Sequence, residues 1–246
     1  MNEHYEKNMI NKLSIIIPCY NEKDTIEEII AVVNKVDIGD IEKEIIIVDD
    51  YSTDGTREIL REQIEQQVDK VIYKDENGGK GSAVTLAIKK VTGDYFIIQD
   101  ADLEYDPNDY IKLLNKIKQE NASVCYGTRF ADKKSKSNDN GRKIMLSHYF
   151  GNKFLTSVIN FFFRTKITDM ETCYKMIKTD AVKGMKIKSK RFNFEPEITA
   201  KLLKGDNQIV ETSISYFPRT FEEGKKINWM HGIEAIIAII KYRIMN

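Results

Sequence analysis

Cysteine, histidine and long apolar runs are scarce in this sequence, and each scarcity excludes a class of protein. The three cysteines, Cys19, Cys125 and Cys173, are odd in number and far apart, so they predict neither a disulfide framework nor a zinc site. Their small number is typical of the reducing cytoplasm. None of the three histidines accompanies a GxSxG motif, which argues against a serine hydrolase.

The sequence also lacks a membrane-spanning run and an excess of charge. No window approaches the roughly 20 apolar residues that a helix needs to cross a bilayer. Residues 1–11 are polar and contain no apolar secretory core, so we expect no signal peptide. Lys and Arg number 38 together, and so do Asp and Glu, which gives no argument for a nucleic-acid partner. With 246 residues, 41% of them hydrophobic, the chain is expected to fold around a substantial core.

Strand and helix patterns alternate along the first half of the chain. Short apolar runs predict five buried strands, at about residues 13–18, 44–48, 71–73, 95–98 and 122–127. Apolar residues recur at helical spacing between them, as at Ile26, Ile29, Ile30 and Val33. This rhythm predicts an α/β fold with a mostly parallel central sheet and flanking helices. The second half loses it, with helices expected at about 144–163, 195–204 and 229–243 and strands at about 172–177 and 208–216.

Three of the predicted strands end in polar residues: Tyr20-Asn21-Glu22, Asp49-Asp50 and Asp100-Ala101-Asp102. If the strands are parallel, these residues lie on one edge of the sheet, where α/β proteins bind ligands. Crowded carboxylates repel one another unless a cation lies between them, and Mg²⁺ or Mn²⁺ prefers such ligands together with phosphate. An acid-rich, solvated turn is the alternative, and this stretch alone does not decide between the two.

The glycine run at 78–81 is a second candidate for phosphate binding. It matches neither GxGxxG nor the GxxxxGK[ST] loop, so the Rossmann and P-loop motifs are excluded on spacing. Lys80 within it has the charge to reach a phosphate. A flexible turn with a solvated lysine is the alternative.

Five motifs together carry a family resemblance. They are PCYNE (18–22), VDDYSTDGT (48–56), NGGKGSA (77–83), DADLEYDP (100–107) and GTRF (127–130). In this order, over about residues 12–227, the chain resembles family 2 glycosyltransferases and more narrowly the polyprenyl-phosphate branch. The resemblance implies a glycosyltransferase-A type fold with a Rossmann-like, mostly parallel sheet. It also implies inverting transfer of a hexose from a UDP-glucose or GDP-mannose class donor to polyprenyl or dolichyl phosphate. A saccharide acceptor in cell-surface polysaccharide assembly is the alternative.

The resemblance further implies a role for individual residues on the donor side. It assigns the nucleoside to Pro18, Tyr20, Glu22, Val48 and Asp50. It assigns the nucleotide sugar to Asp100 and Ala101, and the diphosphate to Arg219 and Lys226, which lie in the late basic segment that also contains Lys225. It assigns Mg²⁺ or Mn²⁺ to Asp100, Asp102 and Glu104, with Asp102 also counted as catalytic.

On the acceptor side, the resemblance assigns Arg129 and Arg142 to the acceptor phosphate. Arginine suits this role because its planar fork matches phosphate geometry. Asp169 and Glu171 are expected to position the sugar. Either one becomes a candidate base if the acceptor is a hydroxyl group, whereas a phosphate needs none.

Two apolar clusters in the second half suggest contact with a membrane surface. One is the final helix, with Trp229, Ile233, Ile236, Ile237 and Ile240; the other comprises Phe154, Leu155, Ile159 and residues 161–163. Apolar residues beside lysines are typical of a helix that lies in the membrane interface, although both clusters could instead pack on the sheet. We therefore expect a cytoplasmic, peripheral protein with a tail (1–11), a catalytic domain (12–227) and a C-terminal amphipathic helix (228–246).

Overall fold

A computed structural model describes residues 9–130, 146–191, 193–219 and 230–244, with the backbone alone for 146–148 and 230–234. Its seven strands are Lys12–Cys19 (β1), Glu42–Asp49 (β2), Lys70–Tyr73 (β3), Tyr95–Ile98 (β4), Val124–Thr128 (β5), Lys175–Lys178 (β6) and Ile209–Ser213 (β7). Its main helices are Ile26–Lys35 (α1), Thr56–Ile59 (α2), Lys80–Ile88 (α3), Tyr110–Glu120 (α4), Leu146–Phe163 (α5), Phe194–Lys204 (α6) and Met230–Ile244 (α7).

The strands form one sheet in the order β3-β2-β1-β4-β6-β5-β7. β1 pairs in parallel with β2 and β4, β2 with β3, and β5 with β7. β6 lies between β4 and β5 and is antiparallel to both, so β5 points the same way as β4. Six strands therefore end at one edge of the sheet, and β6 begins there. The prediction of a mostly parallel sheet is confirmed, and the reversed β6 is the feature that the strand–helix rhythm did not show.

Helices cover both faces of the sheet, which explains why its inner strands are continuously apolar. In β1, Ile15 and Ile17 pack on the face covered by α1, α2 and α4, while Ile16 packs on the face covered by α3 and α6. The predicted stripe of α1 is buried throughout. The helical segment after β2 begins as α2 and continues as one π-helical turn, Leu60–Ile64, and a short 3-10 turn, Glu65–Gln67.

The two late helices, α5 and α7, each have one buried and one exposed apolar face. Leu155 and Ile159 of α5 pack against Ala235 and Ile239 of α7. The opposite faces expose apolar side chains: Phe150, Phe154 and Phe161 on α5, and Ile237, Ile240 and Ile244 on α7. Among the described residues, neither these nor any other helix combines the length and apolarity that crossing a membrane requires.

Candidate active site

A cavity of about 480 Å³ opens at the edge of the sheet where the parallel strands end. Most of the residues expected at the site line it: Pro18, Tyr20, Glu22, Asp50, Lys80, Asp100, Ala101, Asp102, Glu104, Arg129 and Arg219. Val48 lies in the hydrophobic core, and Asp169 is fully buried behind the cavity wall. Arg142, Lys225 and Lys226 fall outside the described residues, so their assignments stay predictions.

The loops after β1 and β2 are tied together at the cavity mouth. The Asn21 N–H donates to Ser52 Oγ at 2.9 Å, and the Thr53 N–H donates to Asn21 Oδ1 at 2.9 Å. Asn21 has a positive φ of 56°, a conformation that asparagine tolerates better than most residues. These bonds fix the position of Tyr20, whose side chain is 38% exposed at the mouth.

Asp50 organises the glycine run. Its Oδ1 accepts from the Gly78 N–H at 3.0 Å, its Oδ2 accepts from the Gly79 N–H at 2.6 Å, and Lys74 forms an ion pair with it. Gly79 has a φ of +84°, and a Cβ there would lie 2.8 Å from the Lys190 carbonyl oxygen. The glycines therefore allow the 189–191 segment to approach closely. Two of their amides hold Asp50, so the run differs from an open phosphate cradle.

Lys80 lies on the floor of the cavity and links residues from three elements. Its Nζ is 2.6 Å from Asp100 Oδ1, 2.9 Å from Cys173 Sγ and 3.8 Å from Glu195 Oε1. The nearby carboxylates raise the pKa of Lys80 against the opposing effect of burial, so the amine stays charged. Lys80 therefore forms an ion pair with Asp100, and its contact with a phosphate stays a prediction.

The acids after β4 divide into two roles. Glu104 accepts from the Arg219 N–H at 2.7 Å and from the Tyr216 hydroxyl at 2.8 Å, so both of its oxygens hold the late segment against the sheet. Asp102 accepts only the Glu104 N–H, at 3.2 Å, among the hydrogen bonds of the described residues. Burial and the charges of Asp100 and Glu104 raise the pKa of Asp102 to about 8. Asp102 is therefore the acid with the greatest need of a positive partner.

Arg219 lines the cavity and bridges the loops that follow β1 and β4. Its Nη2 donates to Glu22 Oε2 at 3.0 Å, and its Nε donates to the Asp102 carbonyl oxygen at 2.9 Å. This places a guanidinium beside the acids, where a diphosphate would need positive charge.

The acidic side chains of the cavity suit a divalent cation only in part. No three or more His, Cys, Asp or Glu side chains of the described residues come together as a metal site. Magnesium, however, usually takes one or two carboxylates together with substrate phosphates. Asp102, with its raised pKa, fits such a cation if it arrives with a diphosphate, whereas each oxygen of Glu104 already accepts one hydrogen bond. Asp102 is therefore the first candidate ligand, and Asp100 the second.

Arg129 and Asp169 form a buried pair beside the cavity. Arg129 Nε and Nη2 donate to the two Asp169 oxygens, both at 2.8 Å, and the Arg129 backbone N–H donates at 3.0 Å. Asn152 Nδ2 adds a bond of 2.8 Å. Although burial opposes ionisation, Arg129 holds the pKa of Asp169 below its usual range. Asp169 is thus a poor candidate base, and two of the nitrogens on Arg129 are committed to holding it.

Sequence reasoning missed a second charged group at the inner end of the cavity. Glu195, in the first turn of α6, is only 6% exposed and lies 2.5 Å from Lys175 Nζ, and Lys175 is itself fully buried. Glu171 lines the same cavity, and burial together with the Glu195 charge raises its pKa to about 7. Acids in the first turn of a helix are ordinary capping residues, so nothing in the sequence distinguished Glu195.

Comparison with known proteins gives the family. The sequence model of glycosyl transferase family 2 matches residues 14–185, well over half of the chain. The chain belongs to glycosyl transferase family 2. The resemblance inferred from the five motifs is confirmed.

Two relatives show how far the likeness to family 2 proteins extends. A low-salt glycan biosynthesis hexosyltransferase, Agl6 of Haloferax volcanii, is 29% identical over 89% of this chain and 52% of its own length. A dolichol-phosphate mannosyltransferase of Pyrococcus furiosus is 36% identical over 48% of this chain and 33% of its own. The chain thus spans about half the length of the first relative and a third of the second.

A solved structure shares the fold. Glucosyl-3-phosphoglycerate synthase from Mycobacterium tuberculosis, in complex with Mn²⁺, uridine diphosphate and glucosyl-3-phosphoglycerate, superposes with a TM-score of 0.66 at 17% identity. The match covers 95% of this chain and 80% of that one. The fold is therefore of the glycosyltransferase-A type, as the motifs implied.

Proposed function

We propose that this family 2 protein transfers a hexose from a nucleotide-diphosphate sugar of the UDP-glucose or GDP-mannose class to a polyprenyl phosphate. The observation that carries the proposal is the meeting of Asp100 and Asp102 with Lys80 and Arg219 in one cavity at the carboxyl edge of the sheet. This arrangement offers ligands for a cation and positive charge for a diphosphate. The Pyrococcus relative, named a dolichol-phosphate mannosyltransferase, supports the lipid acceptor.

The transfer proceeds in one displacement with inversion. A phosphate oxygen of the acceptor attacks the anomeric carbon, the bond from that carbon to the diphosphate breaks, and the nucleoside diphosphate leaves with the electron pair. Asp102, with Asp100, would hold Mg²⁺ or Mn²⁺, which supplies Lewis-acid stabilisation of the leaving charge. Arg219 lies where it adds a fixed positive charge. The acceptor is already an anion, so the step needs no base.

A panel assay tests this proposal. The protein is incubated with UDP-glucose or GDP-mannose, polyprenyl phosphate and Mn²⁺ or Mg²⁺, and the lipid phase is analysed for attached sugar. We expect a sugar-linked lipid whose formation stops on chelation and returns when metal is added. Transfer that continues unchanged in excess chelator would refute the metal dependence.

A saccharide acceptor is the second candidate, and one observation favours it. Glu171 lines the cavity and has a pKa of about 7, which suits a group that takes a proton from a hydroxyl acceptor. Sugar transfer in the panel assay to a free saccharide, with none to the lipid, would select this function.

A lipid acceptor requires approach to a membrane surface. The exposed faces of α5 and α7 are suited to this, because Phe154, Phe161 and Ile244 are each more than half exposed. The basic side chains Lys241 and Arg243 lie in the last turn of α7. We propose peripheral attachment through these faces. Sedimentation with anionic liposomes at low salt tests it, and a chain that stays in the supernatant excludes it.

A further inference from the structure

The cavity wall contains two carboxylate oxygens with no hydrogen-bond donor in the part of the chain that the structure describes. Glu195 Oε1 and Glu171 Oε1 are both buried, and neither makes a hydrogen bond there, whereas Glu195 Oε2 lies 2.5 Å from Lys175 Nζ. Both glutamates line the cavity. Buried acceptors are almost always satisfied in folded proteins, so two at one place point to a ligand that supplies donors.

Neighbouring cations do not fill this role. Lys175 Nζ lies 2.5 Å from Glu195 Oε2, but it also donates to the carbonyl oxygens of Met170 and Thr172. An ammonium group has three donors, so Lys175 is fully used. Lys80 is directed at Asp100 and Cys173 and stays 3.8 Å from Glu195. The two lysines fix the position of Glu195 and leave its acceptor capacity open towards the cavity.

The position of these acceptors identifies the part of a donor that would reach them. Tyr20 is 38% exposed at the mouth, whereas Glu195 is 6% exposed, so the cavity runs inward from the tip of β1 to the start of α6. Asp102 and Arg219 line the same cavity, and a cation held by Asp102 together with the Arg219 guanidinium would suit the diphosphate. The group attached beyond the diphosphate is the sugar, and its hydroxyl groups are hydrogen-bond donors.

We propose that Glu195, together with Glu171, binds hydroxyl groups of the donor sugar and restricts the donor to a neutral hexose. A uronic acid would bring a third carboxylate to a place that already holds two, and that carboxylate supplies no hydrogen-bond donor where a neutral hexose has a hydroxyl group. This inference rests on the proposed function and adds the chemical class of its sugar. Glu195 is then a specificity-determining residue, and Lys175 is the residue that positions it.

Binding measurements test the inference without turnover. Affinities are measured by calorimetry, with Mn²⁺ present, for UDP, UDP-glucose and UDP-glucuronate, and in parallel for GDP, GDP-mannose and GDP-mannuronate. We expect the wild type to bind the neutral donor at least about tenfold more tightly than the uronate. Glu195→Gln and Glu171→Gln should each weaken the neutral donor by about tenfold and leave the free diphosphate within about twofold.

Controls separate the possible failures. Glu62→Gln removes an exposed carboxylate from the helical segment after β2 and should leave every affinity unchanged. If neither UDP nor GDP binds, the proposed function itself fails. If a diphosphate binds but both glutamine variants hold the neutral donor like wild type, only the present inference is overturned. Equal loss of diphosphate and nucleotide sugar in both variants also contradicts it, since the effect would then come from the cavity as a whole.

Discussion

Asp102 and Asp169 lie at the same edge of the sheet, yet their surroundings shift their pKa values in opposite directions. Asp169 is fully buried and held by Arg129, so its pKa stays below the usual range in spite of burial. Asp102 is partly buried beside two further acids, and its pKa rises to about 8. Burial acts in the same direction on both, so the nearest charge makes the difference. A carboxylate paired inside the protein supports the fold, whereas one among like charges is suited to a cation from outside.

The largest expected effect is a difference in the free energy of unfolding between variants of the two acids. Asp169→Asn leaves the largely buried Arg129 guanidinium without its counter-charge, which should lower the free energy of unfolding by about 3–5 kcal/mol. Asp102→Asn puts a neutral amide in place of a carboxyl group whose raised pKa already disfavours its charge, and should cost no stability. Urea unfolding of both variants at pH 7 measures this, and equal losses would contradict the comparison.

The next effect is on the rate of sugar transfer, which should depend strongly on Asp102. Asp102→Asn should reduce sugar transfer at least about 100-fold, because it removes the group expected to hold the cation that stabilises the leaving diphosphate. Asp180→Asn is the matched control, since Asp180 follows β6 at the opposite end of the sheet and is exposed. Rates are measured at saturating metal. An Asp102→Asn protein with wild-type turnover would remove Asp102 from the proposed site.

The smallest effect concerns Glu171, which resembles Asp102 in having a raised pKa, about 7 against an ordinary value of 4.5. Between these two pH values the folded protein keeps a proton that the unfolded chain has lost. Stability should therefore fall as the pH rises from about 4.5 to 7, by on the order of 1–2 kcal/mol from this group.

Glu171→Gln should flatten that part of the stability profile, and urea midpoints at pH 5 and pH 7 measure it. Glu62→Gln, which changes an exposed acid, should keep the wild-type slope. A Glu171→Gln profile as steep as the wild type would show that Glu171 ionises normally.

Much of the cavity could be predicted from sequence because it is built from local patterns. Pro18 lies near the end of a recognisable strand, Asp50 and Asp102 each follow one, and parallel strands bring their ends to one edge. The contacts of Lys80 could not be predicted in this way. Its partner Asp100 follows β4 and its partner Glu195 lies in α6, and only the packing of α3 on the sheet brings them within reach.

The sequence by itself determined that the early apolar strands end in polar and acidic residues, because apolar periodicity and turn residues act over a few positions. Tertiary structure alone decided the direction of β6, a four-residue strand inserted between β4 and β5. It also decided which acids are neutralised, since Arg129 reaches Asp169 across 40 positions of the chain. The free energy of a carboxylate depends on the charges within a few ångströms, and distance along the chain carries no information about them.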